Sequence, residues 1–192
     1  MTKADAPTFS PTLNDAANKL LCKNSLALLI GMLLDQQIPM ERAFQAPFLL
    51  RERLNGKLDA KVIAVMDQQD LVKIFSQKPA LHRFPNNMAT RVHDLCSIVV
   101  STYSNKAENI WKNADTGQEA LDAIGALPGF GQQKAKIFLA ILGKRFNQGP
   151  PGWQKASDPY GKTGSHMSVA DVDSPKSLEL VREYKKSQKN AG

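Results

Sequence analysis

The sequence predicts an all-α fold. Two observations carry this. Sustained apolar/polar alternation and long β-branched clusters are absent, so strand signals are nearly missing. Helical stripes recur, the clearest being Met88, Val92, Leu95, Cys96, Val99, Val100 and Tyr103, spaced to share one face. The 192 residues suffice for one compact core without covalent staples.

Taken in order, residues 1–11 are polar and read as a flexible N-terminus. Asn24–Gln37 is almost wholly apolar and reads as a helix buried on every side. Pro39 suits the start of the next helix, and Gly56 after Leu54 suits its end. Asp59 and Asp67 read as N-caps of short helices over Ala60–Met66 and Gln68–Gln77. The Met88–Tyr103 stripe gives a longer helix, and Asn105–Lys112 and Gly117–Ala126 give two more. Residues 147–168, with Pro150, Pro151, Pro159 and four glycines, read as a long inserted loop. Ser174-Pro175 is an N-cap and first-turn pair, opening a helix with Leu178, Val181 and Tyr184 on one face. Residues 185–192 form a basic tail expected to fray. All of this fits a single domain over 1–192.

Composition narrows the function. Lys and Arg number 25 against 18 Asp and Glu, a net charge of +7. Such an excess favours a polyanionic partner, because basic side chains steer phosphates inward and release their counterions. Cys22 and Cys96 lie in apolar helical patterns and no CxxC pair exists, so both read as core thiols in a reducing compartment. The polar N-terminus has no apolar core of a secretory signal, and the longest apolar run, Leu26–Leu34, is about half of what a bilayer span needs. The expectation is a cytoplasmic protein with no membrane partner. His82 and His93 show no ligand spacing and read as surface or helix residues, and no Walker, GxSxG or HExxH motif occurs. No metal site and no cofactor is expected.

The stretch that carries chemistry is Leu127-Pro-Gly-Phe-Gly131, followed by Gln132-Gln-Lys-Ala135 and an apolar helix with Ile137, Phe138, Ile141 and Leu142. Two glycines one residue apart permit a tight turn and a close backbone approach to another surface. A helix opening at Gly131 leaves its first N–H groups unpaired, a disposition that binds phosphate. Lys134, Lys136, Lys144 and Arg145 add positive charge.

This stretch resembles the hairpin of the helix–hairpin–helix (HhH-GPD) family of base-excision DNA glycosylases, which reads L-P-G, Val or Ile, G, with Ala four residues on. Ala135 fits, and Phe130 departs mildly. Ser25–Gln37, ending Leu-Leu-Asp-Gln-Gln, is similar to the family's early helix. The resemblance covers most of Ser25–Ser174 and implies two helical lobes around a DNA-binding cleft. By this resemblance Leu127, Gly129, Phe130, Gly131, Gln133 and Lys134 would meet DNA. Gln37, with Gln36 as runner-up, would fill the stack vacated by a flipped base.

Family enzymes cleave the N-glycosidic bond with an aspartate after the hairpin helix, and bifunctional members add a lysine two residues after the second hairpin glycine. Gln133 stands at that lysine position, so the resemblance implies a monofunctional, water-using enzyme without AP-lyase activity. Lys134 lies about 100° further round the helix and would serve phosphate or solvent. The acid matches Asp171 best, although the gap from residue 131 to residue 171 is wider than in the family. Asp173 is a close competitor and Asp158 a distant one. The iron–sulfur cluster of some members needs four cysteines near the C-terminus, and none follows Cys96. Trp153, Tyr160 and His166 would either stack on an unstacked base or pack the loop onto the body. The expected partner is double-stranded DNA bearing a damaged or mismatched base. A non-catalytic DNA-binding module and a helical protein-interaction domain are the alternatives.

Overall fold

The computed structural model describes residues 6–191. Those residues form eleven α-helices and one 3₁₀ turn, with no strand among them. Helix α1 is Asp15–Lys23, α2 Ser25–Leu34, α3 Met40–Arg53, α4 Ala60–Ala64, α5 Gln68–Ser76 and α6 Pro85–Tyr103. Then come α7 Asn109–Lys112, α8 Gly117–Gly125, α9 Gln132–Phe146, α10 Trp153–Ala156, the 3₁₀ turn Val169–Asp171 and α11 Pro175–Asn190.

The boundaries follow from capping. Asn24 ends α1 and begins α2 at once, its side chain accepting from Ala27 N. Asp59, Asp67 and Thr116 cap α4, α5 and α8 through their side-chain oxygens. Helix α2 stops at Leu34, three residues before the end expected from its apolar run, because its C-cap Asp35 leaves the helical region with ψ 69°. Helix α1 carries no bounds in the sequence reading; it is short, and Asn14 rather than its apolar content marks its start.

Every residue of α2 except Ser25 is buried, and α2 packs against α1, α3 and α6. Burial on all sides removes the need for a polar face, which explains the uniform composition. A second group joins α4 and α5 to α6, and a third joins α7, α8, α9, α10 and the 3₁₀ turn. Trp111, Phe130 and Phe138 stack edge to face at the centre of this third group, with Trp111 to Phe138 at 5.6 Å and Phe130 to Phe138 at 5.9 Å.

Three segments differ from their sequence-based description. Of residues 1–11, positions 1–5 lie outside the described residues, but Phe9 is buried edge-on against Phe44 of α3. Residues 147–168 hold α10, and Trp153 lies so tightly over Gly143 that a Cβ there would come within 2.3 Å of its ring. Helix α11 runs on to Asn190, taking in Lys185–Lys189, and Arg182 ties it to Glu41 of α3. No single helix among the described residues is long and apolar enough to cross a membrane.

Candidate DNA-binding and catalytic site

The turn between α8 and α9 is built from inside outwards. Leu127 and Phe130 are buried, so their side chains hold the turn to the core and do not face a ligand; only their backbone can meet DNA. The larger Phe130 is explained by its stacking on Phe138. Gly129 has φ 77°, and a Cβ there would lie 2.6 Å from Leu33 Cδ1, so fold geometry alone demands glycine. Gly131 is different. Its φ of −79° suits any residue, and a Cβ would meet nothing within 4 Å. No internal contact accounts for it. It caps α9 without a side chain, leaving the first amides of α9 open to an outside acceptor.

The end of α2 faces this turn. Gln36 is held in place: Nε2 donates to Leu33 O at 2.8 Å, and Oε1 accepts from Arg91 Nη1 at 3.2 Å. Gln37 is exposed at the tip of the α2–α3 loop in its left-handed conformation. Such a backbone costs free energy and is kept where surrounding structure enforces it. His82, expected at the surface or in a helix, is 1% exposed and lies in the bend before α6. Its Nδ1 accepts from Phe84 N and its Nε2 donates to Gln36 O, both at 3.0 Å, so the ring is neutral and pins the loop. Burial holds its pKa below the usual imidazole value of 6.5.

Between the α2–α3 loop, the start of α9, the 160–169 stretch and the end of α11 lies a cavity of about 1100 Å³. Gln37, Gln133, Lys134, Asp35, Tyr160 and Lys185 are among its lining residues. Gln133 Nε2 donates to Tyr160 Oη at 2.8 Å, joining the inserted segment to the first turn of α9. By the resemblance Lys134 would serve phosphate or solvent. Its Nζ turns inward and donates to Leu33 O at 2.9 Å, and burial pulls its pKa down to about 8. Asp35, unremarked in the sequence, lines the same cavity. Burial pushes its carboxyl up, partly countered by Lys185 and Lys134, and among the described residues no hydrogen bond reaches its side chain.

Asp171 occupies a different environment. It pairs with Lys144 at 2.6 Å, the two side chains being 3% and 7% exposed. Its oxygens also accept from Ser165 Oγ, Met167 N and Ser168 N. The carboxylate is saturated and is not among the cavity's lining residues, although its neighbours Ser168 and Val169 are. Its observed work is to close the 3₁₀ turn and anchor it to α9. Asp173 pairs with Arg145 at 2.8 Å and accepts from Ser174 and Ser177 at the head of α11, interactions that hold its pKa below the ordinary range despite partial burial. Asp158 is exposed beside Lys162. Of the three aromatic or imidazole candidates in the insertion, Trp153 packs the segment down, Tyr160 enters the cavity wall, and His166 is exposed.

The sequence reading thus finds both walls of the cavity but misses Asp35, Arg91 and Lys185. Asp35 stands beside Gln36-Gln37 in the helix-end motif and was visible there. Arg91 and Lys185 carry no local signal, because they reach the site only through packing. Among the described residues, no group of three His, Cys, Asp or Glu side chains is placed to hold a metal ion.

Compared with known families, residues 30–190 match the HhH-GPD superfamily base excision DNA repair protein. No curated protein matches the chain. The match spans most of the molecule, including both cavity walls, and the chain belongs to the HhH-GPD superfamily of base excision DNA repair proteins.

Proposed function

We propose that this member of the family is a monofunctional DNA N-glycosylase, hydrolysing the bond between deoxyribose and a damaged or mismatched base in duplex DNA. The observation that supports it most is convergence: the uncapped start of α9, the protruding Gln37 and a cavity of about 1100 Å³ meet at one place. Ligand pockets fall in roughly this size range, which leaves room for an extruded nucleoside. In this reading the amides after Gly131 hold a backbone phosphate. Gln37 enters the duplex, and the flipped nucleotide occupies the cavity. Arg91, beside Gly129, adds a cation next to the phosphate.

Gln133 at the position of the bifunctional lysine supports hydrolysis by water. Lys134 is a second amine nearby, but its Nζ is engaged with Leu33 O. We place the protein in the cytoplasm, where its two free thiols would stay reduced.

The test is a panel of duplex oligonucleotides, each with one lesion such as uracil, hypoxanthine, ethenoadenine or a G·T mismatch. The expected result is strand cleavage at one lesion only after alkali. If every duplex binds with steep salt dependence and none yields an alkali-labile site, the protein is a binding module. Efficient borohydride trapping on abasic DNA would instead make Lys134 the nucleophile and the enzyme bifunctional.

A further inference from the structure

We propose that Gln133 and Tyr160 are the base-reading pair of this cavity and select a neutral base rich in carbonyl oxygens, such as uracil, hypoxanthine or mismatched thymine, over an alkylated one. The inference rests on the glycosylase reading and names the substrate class of the same site. The pair itself is the first observation. Gln133 stands in the first turn of α9 and Tyr160 in the segment after α10, and both line the same cavity as Gln37. Gln133 Nε2 donates to Tyr160 Oη at 2.8 Å. That bond uses one of the amide's two N–H groups and leaves the phenol O–H free to turn. The pair therefore offers a ligand two donors, the second amide N–H and the phenol O–H, and one acceptor, Oε1. A flipped base is read by hydrogen bonds to its edge. Two donors and one acceptor match an edge that sets C=O beside N–H, which uracil, thymine and hypoxanthine all present. Adenine and cytosine carry an amino group in place of one carbonyl, so a donor of the pair would face another donor.

The second observation is charge, and it is independent of the first. Among the described lining residues five are cationic and two, Asp35 and Glu41, are acidic. Glu41 is paired with Arg182, and Asp35 faces Lys134 and Lys185. Neither carboxylate is left to balance a further cation. A purine alkylated at a ring nitrogen carries a formal positive charge, and like charges in a cavity with little water repel strongly. A carbonyl oxygen is drawn to the same field. Phosphates would meet these cations too, but every duplex brings phosphates. Only the Gln133–Tyr160 pair tells one base from another. It places part of the base recognition on the segment after α10, which reaches the cavity by packing Trp153 over Gly143.

The experiment uses the full chain in single turnover on duplexes that carry uracil, hypoxanthine, thymine opposite guanine, ethenoadenine or 7-methylguanine. The wild type is expected to release at least one of the first three about 10²-fold faster than either of the last two. Ethenoadenine lacks the carbonyl edge and 7-methylguanine adds the charge, so the two observations are tested separately. Gln133→Leu and Tyr160→Phe are each expected to slow release of the favoured base about tenfold. Their melting temperatures and their affinities for a tetrahydrofuran duplex, which has no base to read, are expected to stay at wild-type levels. A pair that only fastens the segment after α10 to α9 would lower melting temperature or tetrahydrofuran affinity and leave the preference among bases unchanged, which overturns the proposal. So do two variants that both release the favoured base at the wild-type rate. A wild type that prefers ethenoadenine or 7-methylguanine overturns the substrate class and leaves the glycosylase reading intact. A wild type that releases none of these bases overturns both.

Discussion

Gln37 sits in a left-handed backbone that costs a non-glycine residue about 1 kcal/mol or more, and its side chain is exposed at a loop tip. Nothing internal rewards that position. Gln37→Gly is therefore expected to leave thermal stability unchanged or raise it, while weakening binding to an abasic-site duplex about tenfold, measured by fluorescence anisotropy. Equal loss of stability and binding would point to a structural glutamine. His82 gives a pH prediction with a definite sign. The folded imidazole resists protonation because its Nδ1 is occupied and its site is buried. Below about pH 6.5 the unfolded chain takes a proton that the folded chain refuses, so stability falls as pH drops through the folded value. The melting-temperature gap between wild type and His82→Gln should shrink from pH 7.5 to pH 5; a constant gap would rule the mechanism out. At this scale the sequence was legible where a motif marked the residue, as with Gln37. It was silent on His82, whose two partners lie on the α2–α3 loop and at the head of α6 and depend on how those elements pack.

The hairpin element offers a paired test. Gly129→Ala strains a positive φ and drives a Cβ into Leu33, at a cost of about 1–3 kcal/mol, or several degrees in melting temperature. Gly131→Ala meets open space and an ordinary φ, so it should melt like wild type. It should nevertheless weaken duplex binding about tenfold, because a methyl group stands where a phosphate would approach the open amides. If Gly131→Ala binds normally, the start of α9 is not a phosphate site. The 3₁₀ turn gives a second pair. Asp171→Asn leaves Lys144 buried without its counter-charge, a loss of about 3–5 kcal/mol. Differential scanning calorimetry should show a fall of roughly 10 °C. Base release measured well below that temperature should stay within a few-fold of wild type, as expected of a carboxylate that does not line the cavity. The caps at Asp59, Asp67 and Ser174 were legible because side-chain capping is local. The order within 147–168 was not. Trp153 acquires its site from Gly143, on a different helix, and proline–glycine content reads the same whether a loop is packed or free.

Across the whole molecule, the all-α class follows from periodicity, and the family from one short turn plus a helix end. The placement of the acid does not follow, because spacing along the chain says little about which carboxylate lines a cavity. Asp171 follows the hairpin helix in sequence, whereas Asp35 lines the cavity in space. The net charge of +7 and the open start of α9 together predict duplex binding that weakens linearly in log salt, each neutralised phosphate adding about 0.9 to the slope. The most direct test of the account is a single-turnover reaction on the processed lesion, with the freed base quantified by mass spectrometry and strands resolved before and after alkali. The account predicts one free base per alkali-labile site and no strand break without alkali. Saturating binding with no base released would contradict it.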